Sequence, residues 1–128
     1  MSRIRTVKPE FWTDEKINSI DRDAALMFIG IWNHSDDNGI HPAKPKEVQW
    51  QVFPGGRASL KSVEKWIGQL LKVQLIIQYA IKGKEYWIVP NWHKHQRIDK
   101  PHYKYPAPNG VVNARFEENS ETILGMVA

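Results

Sequence analysis

The chain has 128 residues, no cysteine and a formal net charge of +4. A chain of this length can bury a hydrophobic core without disulfides, and its six tryptophans, four tyrosines and four phenylalanines argue against disorder. The lack of cysteine excludes disulfides and thiolate metal sites. No apolar run approaches the roughly 20 residues of a membrane-spanning helix, and the first residues lack the apolar core of a signal peptide. We therefore expect one soluble, cytoplasmic domain with no membrane partner.

The positive charge is concentrated in the middle of the chain. Residues 44–104 carry twelve basic and four acidic side chains, a net charge of +8, whereas residues 17–43 carry −3 and residues 105–128 carry −2. A local excess of this size attracts polyanions and accelerates their association. A lysine-rich surface that binds only water would have the same composition, so charge alone leaves both interpretations open.

The first part of the chain predicts an arm, a helix and a turn. Residues 1–20 mix basic and aromatic side chains and are interpreted as an N-terminal arm. Asp21 is suited to cap the helix that follows it. Apolar residues in that helix recur at the spacing of an amphipathic helix: Ala25, Phe28, Ile29 and Trp32. The run Asp36–Gly39 is a strong turn signal, and a short strand, Ile40–His41, is predicted after it.

The middle of the chain predicts two helices and a hairpin. One helix begins at Pro45, which suits the first helical position, and ends near Phe53, before a Pro-Gly-Gly run. Ser59 caps a third helix that extends to Lys72. Two strands follow, 75–81 and 85–89, joined by Lys82-Gly83-Lys84, where glycine supplies the positive φ of a tight turn. This order of elements predicts an α+β, mainly helical winged helix-turn-helix, with a three-helix core and a β-hairpin wing.

Composition divides the chain into four segments. They are the arm (1–20), the winged helix-turn-helix domain (21–92), a basic, proline-containing extension or linker (93–110) and an irregular C-terminal tail (111–128). The tail has only a weak apolar pattern. The tail sequence is consistent with either a short helix or a frayed end.

The third predicted helix has an apolar side and a basic side. A helical wheel places Leu60, Val63, Ile67, Leu70 and Leu71 opposite Lys61, Lys65, Gln69 and Lys72. Lysines bind phosphates, and a glutamine amide can pair with adenine in the major groove. We predict that this side of the helix contacts double-stranded DNA. Arg57 at the entrance to the helix, the hairpin tip and the basic extension are expected to make further contacts. The predicted DNA-binding residues are Arg57, Lys61, Ser62, Lys65, Gln69, Lys72, Lys82, Lys84, Lys94, Arg97 and Lys100.

No cofactor, metal site or catalytic residue is predicted. Structural zinc needs four ligands at defined spacing, and His93-Lys94-His95 with Asp99 offers no cysteine and no second ligand pair. A turn after a helix explains Asp36-Asp37, beside His34 and His41, more simply than a nuclease cation site does. We therefore do not expect an enzyme.

Three separated motifs carry a family resemblance. They are Arg3–Trp12, the helix and turn residues 28–33 and 36–39, and Pro90–Pro101. Over about residues 3–106 the chain resembles the N-terminal domains of phage and prophage replication-initiation proteins, the replication protein O-like replisome organisers. The resemblance implies a winged helix that binds origin DNA in the cytoplasm of a bacterial host.

Members of that family usually continue past the proline-rich linker into a region that recruits the replicative helicase or its loader. This chain ends at Ala128, so we expect a stand-alone or truncated DNA-binding relative, and helicase or loader recruitment stays open. A homodimer is open as well. Two alternatives use the same scaffold: a transcriptional regulator, and a protein–protein interaction module whose exposed patch would be Trp50, Trp66 and Trp87.

Overall fold

The computed structural model describes residues 2–127, so Met1 and Ala128, the ends of the predicted arm and tail, lie outside it. Its elements are α1 (Glu15–Asn18), α2 (Arg22–His34), β1 (Ile40–Pro42), α3 (Pro45–Val52), α4 (Leu60–Lys72), β2 (Ile77–Ile81), β3 (Lys84–Ile88), α5 (Trp92–His95) and α6 (Ser120–Val127). Two short 3-10 helices, Pro9–Thr13 and Pro54–Gly56, complete the helical elements. The fold is α+β and about 46% helical with these included, and it has one antiparallel sheet in the order β1-β3-β2. This architecture is compatible with a winged helix. Over residues 2–127, no helix is both long and apolar enough to cross a membrane.

Capping and turn residues define the element boundaries. Ser59 caps α4 as predicted, because its Oγ accepts a hydrogen bond from the Ser62 N–H at 3.1 Å. Strand β2 begins two residues later than predicted. The N–H of Leu75 bonds back to the Leu70 carbonyl at 3.0 Å, and Gln74 has a φ of 61°, so the chain is still leaving α4 there.

The hairpin is tighter than the sequence indicated. Ile81 and Lys84 are paired across the strands, so the turn consists of Lys82 and Gly83 alone and Lys84 is the first residue of β3. Lys82 and Gly83 have φ angles of 51° and 79°. Two successive positive φ angles are typical of the type I′ turn, whose twist matches that of the strands.

Three helices and one face of the sheet form the main core. Met27 and Ile31 of α2 are buried with Val48 of α3 and with Ile67 and Leu70 of α4. Helices α2 and α3 approach closely at Gly30, where an added Cβ would lie 2.6 Å from a methyl group of Val52. The close approach therefore depends on the missing side chain.

The second face of the sheet is also covered. Tyr79 and Ile88 on that face are buried together with Phe116 and with Ile123 of α6. The Tyr79 hydroxyl donates a 2.6 Å hydrogen bond to the carbonyl of Pro106. The residues interpreted as linker and tail thus pack against the sheet, and of the two alternatives for the tail, the structure has the short helix.

The turn between α2 and β1 holds four buried polar side chains, and we name three of them, Asp36, Asp37 and Asn38, the polar clamp. Asp37 receives the guanidinium groups of Arg3 and Arg5 from the arm at 2.8 and 2.9 Å. It also accepts the backbone N–H of His102 at 2.7 Å. Asp37 therefore joins the beginning of the chain to the segment after the hairpin.

The other two clamp residues bind backbone groups. Asp36 accepts N–H groups from Asn38 and Ile40 on one carboxylate oxygen and from Lys104 and Tyr105 on the other, at 2.9–3.1 Å. The Asn38 side chain accepts the N–H of Phe116 at 2.8 Å and donates to the carbonyl of Ala114 at 2.9 Å. These bonds hold the covering segment on the sheet.

Burial affects the two clamp carboxylates differently. Burial raises the pKa of Asp36, and its four backbone donors offset this only in part. Burial would also raise the pKa of Asp37, but the His102 N–H and the guanidiniums of Arg5 and Arg3 outweigh it and lower that pKa. The fold therefore favours the ionised form of Asp37.

The arm and the segment after the hairpin also pair directly. The Thr6 N–H donates to the Gln96 side-chain oxygen, and the Gln96 amide donates to the Thr6 carbonyl, both at 2.9 Å. The guanidinium of Arg5 lies 4.8 Å from the centre of the Trp92 ring. The three motifs that carry the family resemblance thus meet at the polar clamp.

We predict that Asp37→Asn lowers the free energy of unfolding by about 3–5 kcal/mol, because it leaves the guanidinium of Arg5 buried without a counter-charge. The Arg5 side chain is only 2% exposed and that of Asp37 is fully buried. Urea denaturation followed by circular dichroism measures the change.

A matched control is Glu117→Gln, since the Arg115–Glu117 ion pair has the same 2.9 Å distance but both side chains are more than half exposed. It should leave the urea midpoint unchanged, because water screens an exposed pair. Equal losses in the two variants would contradict a dominant role for the buried pair.

A second prediction compares two helical glycines. Gly30→Ala should destabilise the fold by about 1–3 kcal/mol, because the new methyl group overlaps Val52. Gly68→Ala in α4 should stabilise it by about 0.5–1 kcal/mol, because that Cβ meets no atom within 4 Å and alanine favours the helix. Thermal unfolding of both variants should give shifts of opposite sign.

Candidate nucleic-acid interface

Helix α4 has the two faces that its sequence predicted. Val63, Ile67 and Leu70 are buried in the core, whereas Lys61, Lys65 and Lys72 are exposed. The helical register used for the prediction is therefore confirmed. The exposed lysines present a row of cations along a rigid element that is fixed from behind by its apolar face.

Two predicted DNA-binding residues already have partners within the protein. Gln69 is half-buried, and its amide oxygen accepts the N–H of Asp21 at 2.9 Å while its nitrogen donates to the Asp21 carboxylate at 3.0 Å. The Ser62 hydroxyl accepts a bond from the Ser59 hydroxyl at 3.0 Å and belongs to the helix cap. Both side chains contribute to holding α4 in place.

Asp21 has the predicted position but not the predicted capping role. It precedes α2 as predicted, yet its side chain makes no capping bond to that helix. Its carboxylate instead faces α4, bonding Gln69 and lying 3.4 Å from the Lys65 ammonium. The Gln69 hydrogen bond, with a smaller contribution from Lys65, lowers the pKa of Asp21. No local pattern indicates this pairing, because its partners are more than 40 residues away.

The cations that flank α4 are exposed. Arg57 lies in the loop just before the Ser59 cap, and Lys82 and Lys84 lie at and beside the hairpin turn. Among residues 2–127, Lys65 is the only predicted DNA-binding residue in an ion pair within 4.0 Å. The other cations around α4 and the hairpin are therefore available to an external anion: Arg57, Lys61, Lys72, Lys82 and Lys84.

The basic residues of the extension belong to another part of the surface. Lys94, Arg97 and Lys100 are exposed, but their segment contacts the N-terminal arm. The carbonyl of Lys94 accepts the Lys8 ammonium at 2.8 Å, and that of Lys100 accepts the Arg3 guanidinium at 3.3 Å. The structure thus groups these three residues with the arm.

The expectation of an exposed patch formed by Trp50, Trp66 and Trp87 is wrong. Trp87 is 2% exposed, because its position in β3 faces the helical core, and its Nε1 donates to Gln78. Trp66 is half-buried against Phe53, with ring centres 5.3 Å apart. Trp50 alone of the three is well exposed.

The geometry of Asp36 and Asp37 favours a structural turn over a cation site. Both oxygens of Asp36 and both oxygens of Asp37 already accept hydrogen bonds from the protein. Within the described range 2–127, no group of three or more histidine, aspartate and glutamate side chains is placed to hold a metal ion.

We predict that Gln69→Leu raises the pKa of Asp21 toward its ordinary value of 3.8, because the amide makes the largest contribution to the shift. Folding lowers this pKa, so the contact stabilises the folded protein fully at pH values above the ordinary pKa of Asp21. The stabilisation is lost as the pH falls through the lower pKa of the folded state. A carboxyl-carbon NMR titration measures the pKa. Glu117, whose pKa is lowered by Arg115, is the internal control and should not change.

No protein-family model, curated protein or solved structure matches this chain.

Proposed function

We propose that this chain is a winged-helix DNA-binding protein of phage or prophage origin that binds double-stranded origin DNA during replication initiation in a bacterial host. The order α2-β1-α3-α4-β2-β3 and the sheet order β1-β3-β2 support a winged helix, in which α4 is the recognition helix. The observation that carries the proposal is α4 itself, with an apolar side in the core and exposed lysines on the opposite side.

The dimensions and charges of α4 suit a DNA groove. Thirteen residues give a helix about 20 Å long, and an α-helix fits the major groove, which is about 12 Å wide. Lys61 and Lys72 lie near its two ends, with Lys65 between them. Lysine ammonium groups at this spacing can neutralise phosphates and release their counterions, which accounts for most of the affinity of such interfaces.

The contact with Asp21 determines how α4 would read DNA. The Lys65–Asp21 pair is exposed, with 67% and 48% of the two side chains accessible, so it contributes little and a phosphate can replace the carboxylate. Gln69 makes two hydrogen bonds to Asp21 and stays with it. We infer that α4 binds mainly the DNA backbone and that Gln69 positions the helix instead of reading adenine.

The hairpin adds a second contact. Its two-residue turn keeps Lys82 and Lys84 close together at the tip, and both are exposed. In a winged helix, this tip would lie along a phosphate strand beside the groove that α4 occupies. Arg57, which is exposed just before the Ser59 cap, would bind a phosphate near the start of α4.

The replication role rests on the resemblance of the three motifs to replisome organisers. Those motifs meet at the polar clamp, where Arg5, Asp37 and Trp92 touch, so the resemblance extends to residues that hold the fold together. Duplex DNA is the proposed partner. A transcriptional role on the same scaffold would use the same α4 surface and would differ in its target sequence.

We predict that the double variant Lys61→Gln/Lys65→Gln weakens binding to duplex DNA and makes the slope of log K against log salt less steep by about 2, because two phosphate contacts are lost. Neutral glutamine avoids placing a new negative charge beside Asp21. Fluorescence anisotropy with a labelled random-sequence duplex across a salt series measures the slope.

The matched control is Lys16→Gln/Lys104→Gln, which removes the same charge from exposed lysines outside α4 and the hairpin. It should leave the slope nearly unchanged. If the duplex does not bind at low salt, or if both double variants lose affinity equally, the proposal that α4 binds DNA is wrong.

A further inference from the structure

Trp50 is the most exposed tryptophan among the described residues, with 69% of its surface accessible. It lies on the outer side of α3, whose opposite side packs inward through Val48 and Val52. Exposing a whole indole ring to water is unfavourable, because the ring carries a large apolar surface. Neither the core nor the α4 surface accounts for a tryptophan at this position.

Lysines surround the exposed ring. Lys46 lies four residues before Trp50, so the two side chains are neighbours on one face of α3. Lys44 is the N-cap residue of the same helix. Residues 43–47 with Trp50 and Gln51 line an open groove of about 750 Å³. The groove therefore has an aromatic wall and a cationic rim.

The groove lies beside the tip end of the hairpin. The N–H of Ala43 donates a 3.0 Å hydrogen bond to the carbonyl of Glu85, which follows Lys84 in β3. Lys44, Lys46 and Lys84 make no ion pair within 4.0 Å among residues 2–127, and Glu47 and Glu85 offset part of their charge. The local excess of positive charge is available to an anion that also has a flat, apolar face.

We propose that the Trp50 groove binds an unpaired stretch of DNA, with one base stacked on the indole ring and the flanking phosphates on Lys44 and Lys46. Aromatic rings beside lysines are the usual means of binding single strands, because each unpaired base exposes a π-face that a duplex keeps buried. A patch for a protein partner would have a broader apolar surface and fewer charges.

The choice of DNA as the nucleic acid rests on the proposed function, whereas the stacking site rests on Trp50 and its lysines alone. The groove and the hairpin are adjacent, so one molecule could hold a duplex on α4 and Lys82 while a strand separated from that duplex enters the groove. The site thereby fits a junction between paired and unpaired DNA.

The test measures binding of a short, fluorescein-labelled oligo(dT) and of a blunt random-sequence duplex by anisotropy. Trp50→Ala should weaken oligo(dT) binding by roughly tenfold or more, the effect expected from one lost base–aromatic stack, and should change duplex binding less than about twofold. Trp50→Phe should restore most of the oligo(dT) affinity, because phenylalanine keeps an aromatic face.

The matched control is Trp12→Ala, since Trp12 is 64% exposed but lies on the arm. It should bind oligo(dT) like the unmodified protein. Unchanged oligo(dT) binding in Trp50→Ala, or an equal loss in Trp12→Ala, would overturn the stacking site. A protein that binds oligo(dT) through Trp50 but does not bind the blunt duplex would keep the stacking site and overturn the α4 proposal. Circular dichroism melting verifies that each variant is folded.

Discussion

A buried charge is the constraint on which the rest of this structure depends. The carboxylate of Asp37 lies in a turn from which water is excluded, and an ion in such a place must be matched by opposite charge and hydrogen-bond donors. The turn itself cannot provide them, so they come from the arm and from the segment after the hairpin. Arg3, Arg5 and the backbone of His102 therefore all contact Asp37. The covering of the second sheet face, through the neighbouring contacts of Asp36 and Asn38, follows from the same convergence.

The position of α4 depends on a second polar contact, between Asp21 and Gln69. Core packing fixes the apolar face of α4, and two hydrogen bonds between Gln69 and Asp21 also tie the helix to the start of α2. The same contact places a carboxylate among the lysines of the exposed face. Stability of the helix orientation and the positive potential of the face are therefore in competition. Because the Lys65–Asp21 ion pair is weak in water, it reduces the positive potential of this face only slightly.

Local sequence patterns predicted the parts of the fold that local physics determines. The periodicity of residues 60–71, the Ser59 cap and the Asp36–Gly39 turn each depend on neighbours within a few residues, and the structure has all three. The contacts that the sequence does not predict join residues far apart in the chain. Asp37, for example, is 34 positions from Arg3 and 65 positions from His102. Trp87 was predicted to be exposed, but residues on both faces of β3 are buried. The alternation of apolar and polar residues therefore does not show which face of this strand is exposed to solvent. The contact of Gln69 is not visible in the sequence, because its partner, Asp21, lies just before α2 and 48 positions earlier.

The hydrogen bonds of Asp36 also determine when the fold can close. Two of its four donors, Lys104 and Tyr105, follow it by 68 and 69 positions. During synthesis from the N-terminus, α2, α3, α4 and the hairpin are all made before these donors exist. Closing a long loop lowers the entropy of the chain before the distant contacts can form. We therefore expect the hydrogen bonds of the polar clamp to form late in folding. The helical core and the hairpin are expected to form first, and the segment that carries Lys104 and Tyr105 is expected to close over the turn after α2 last.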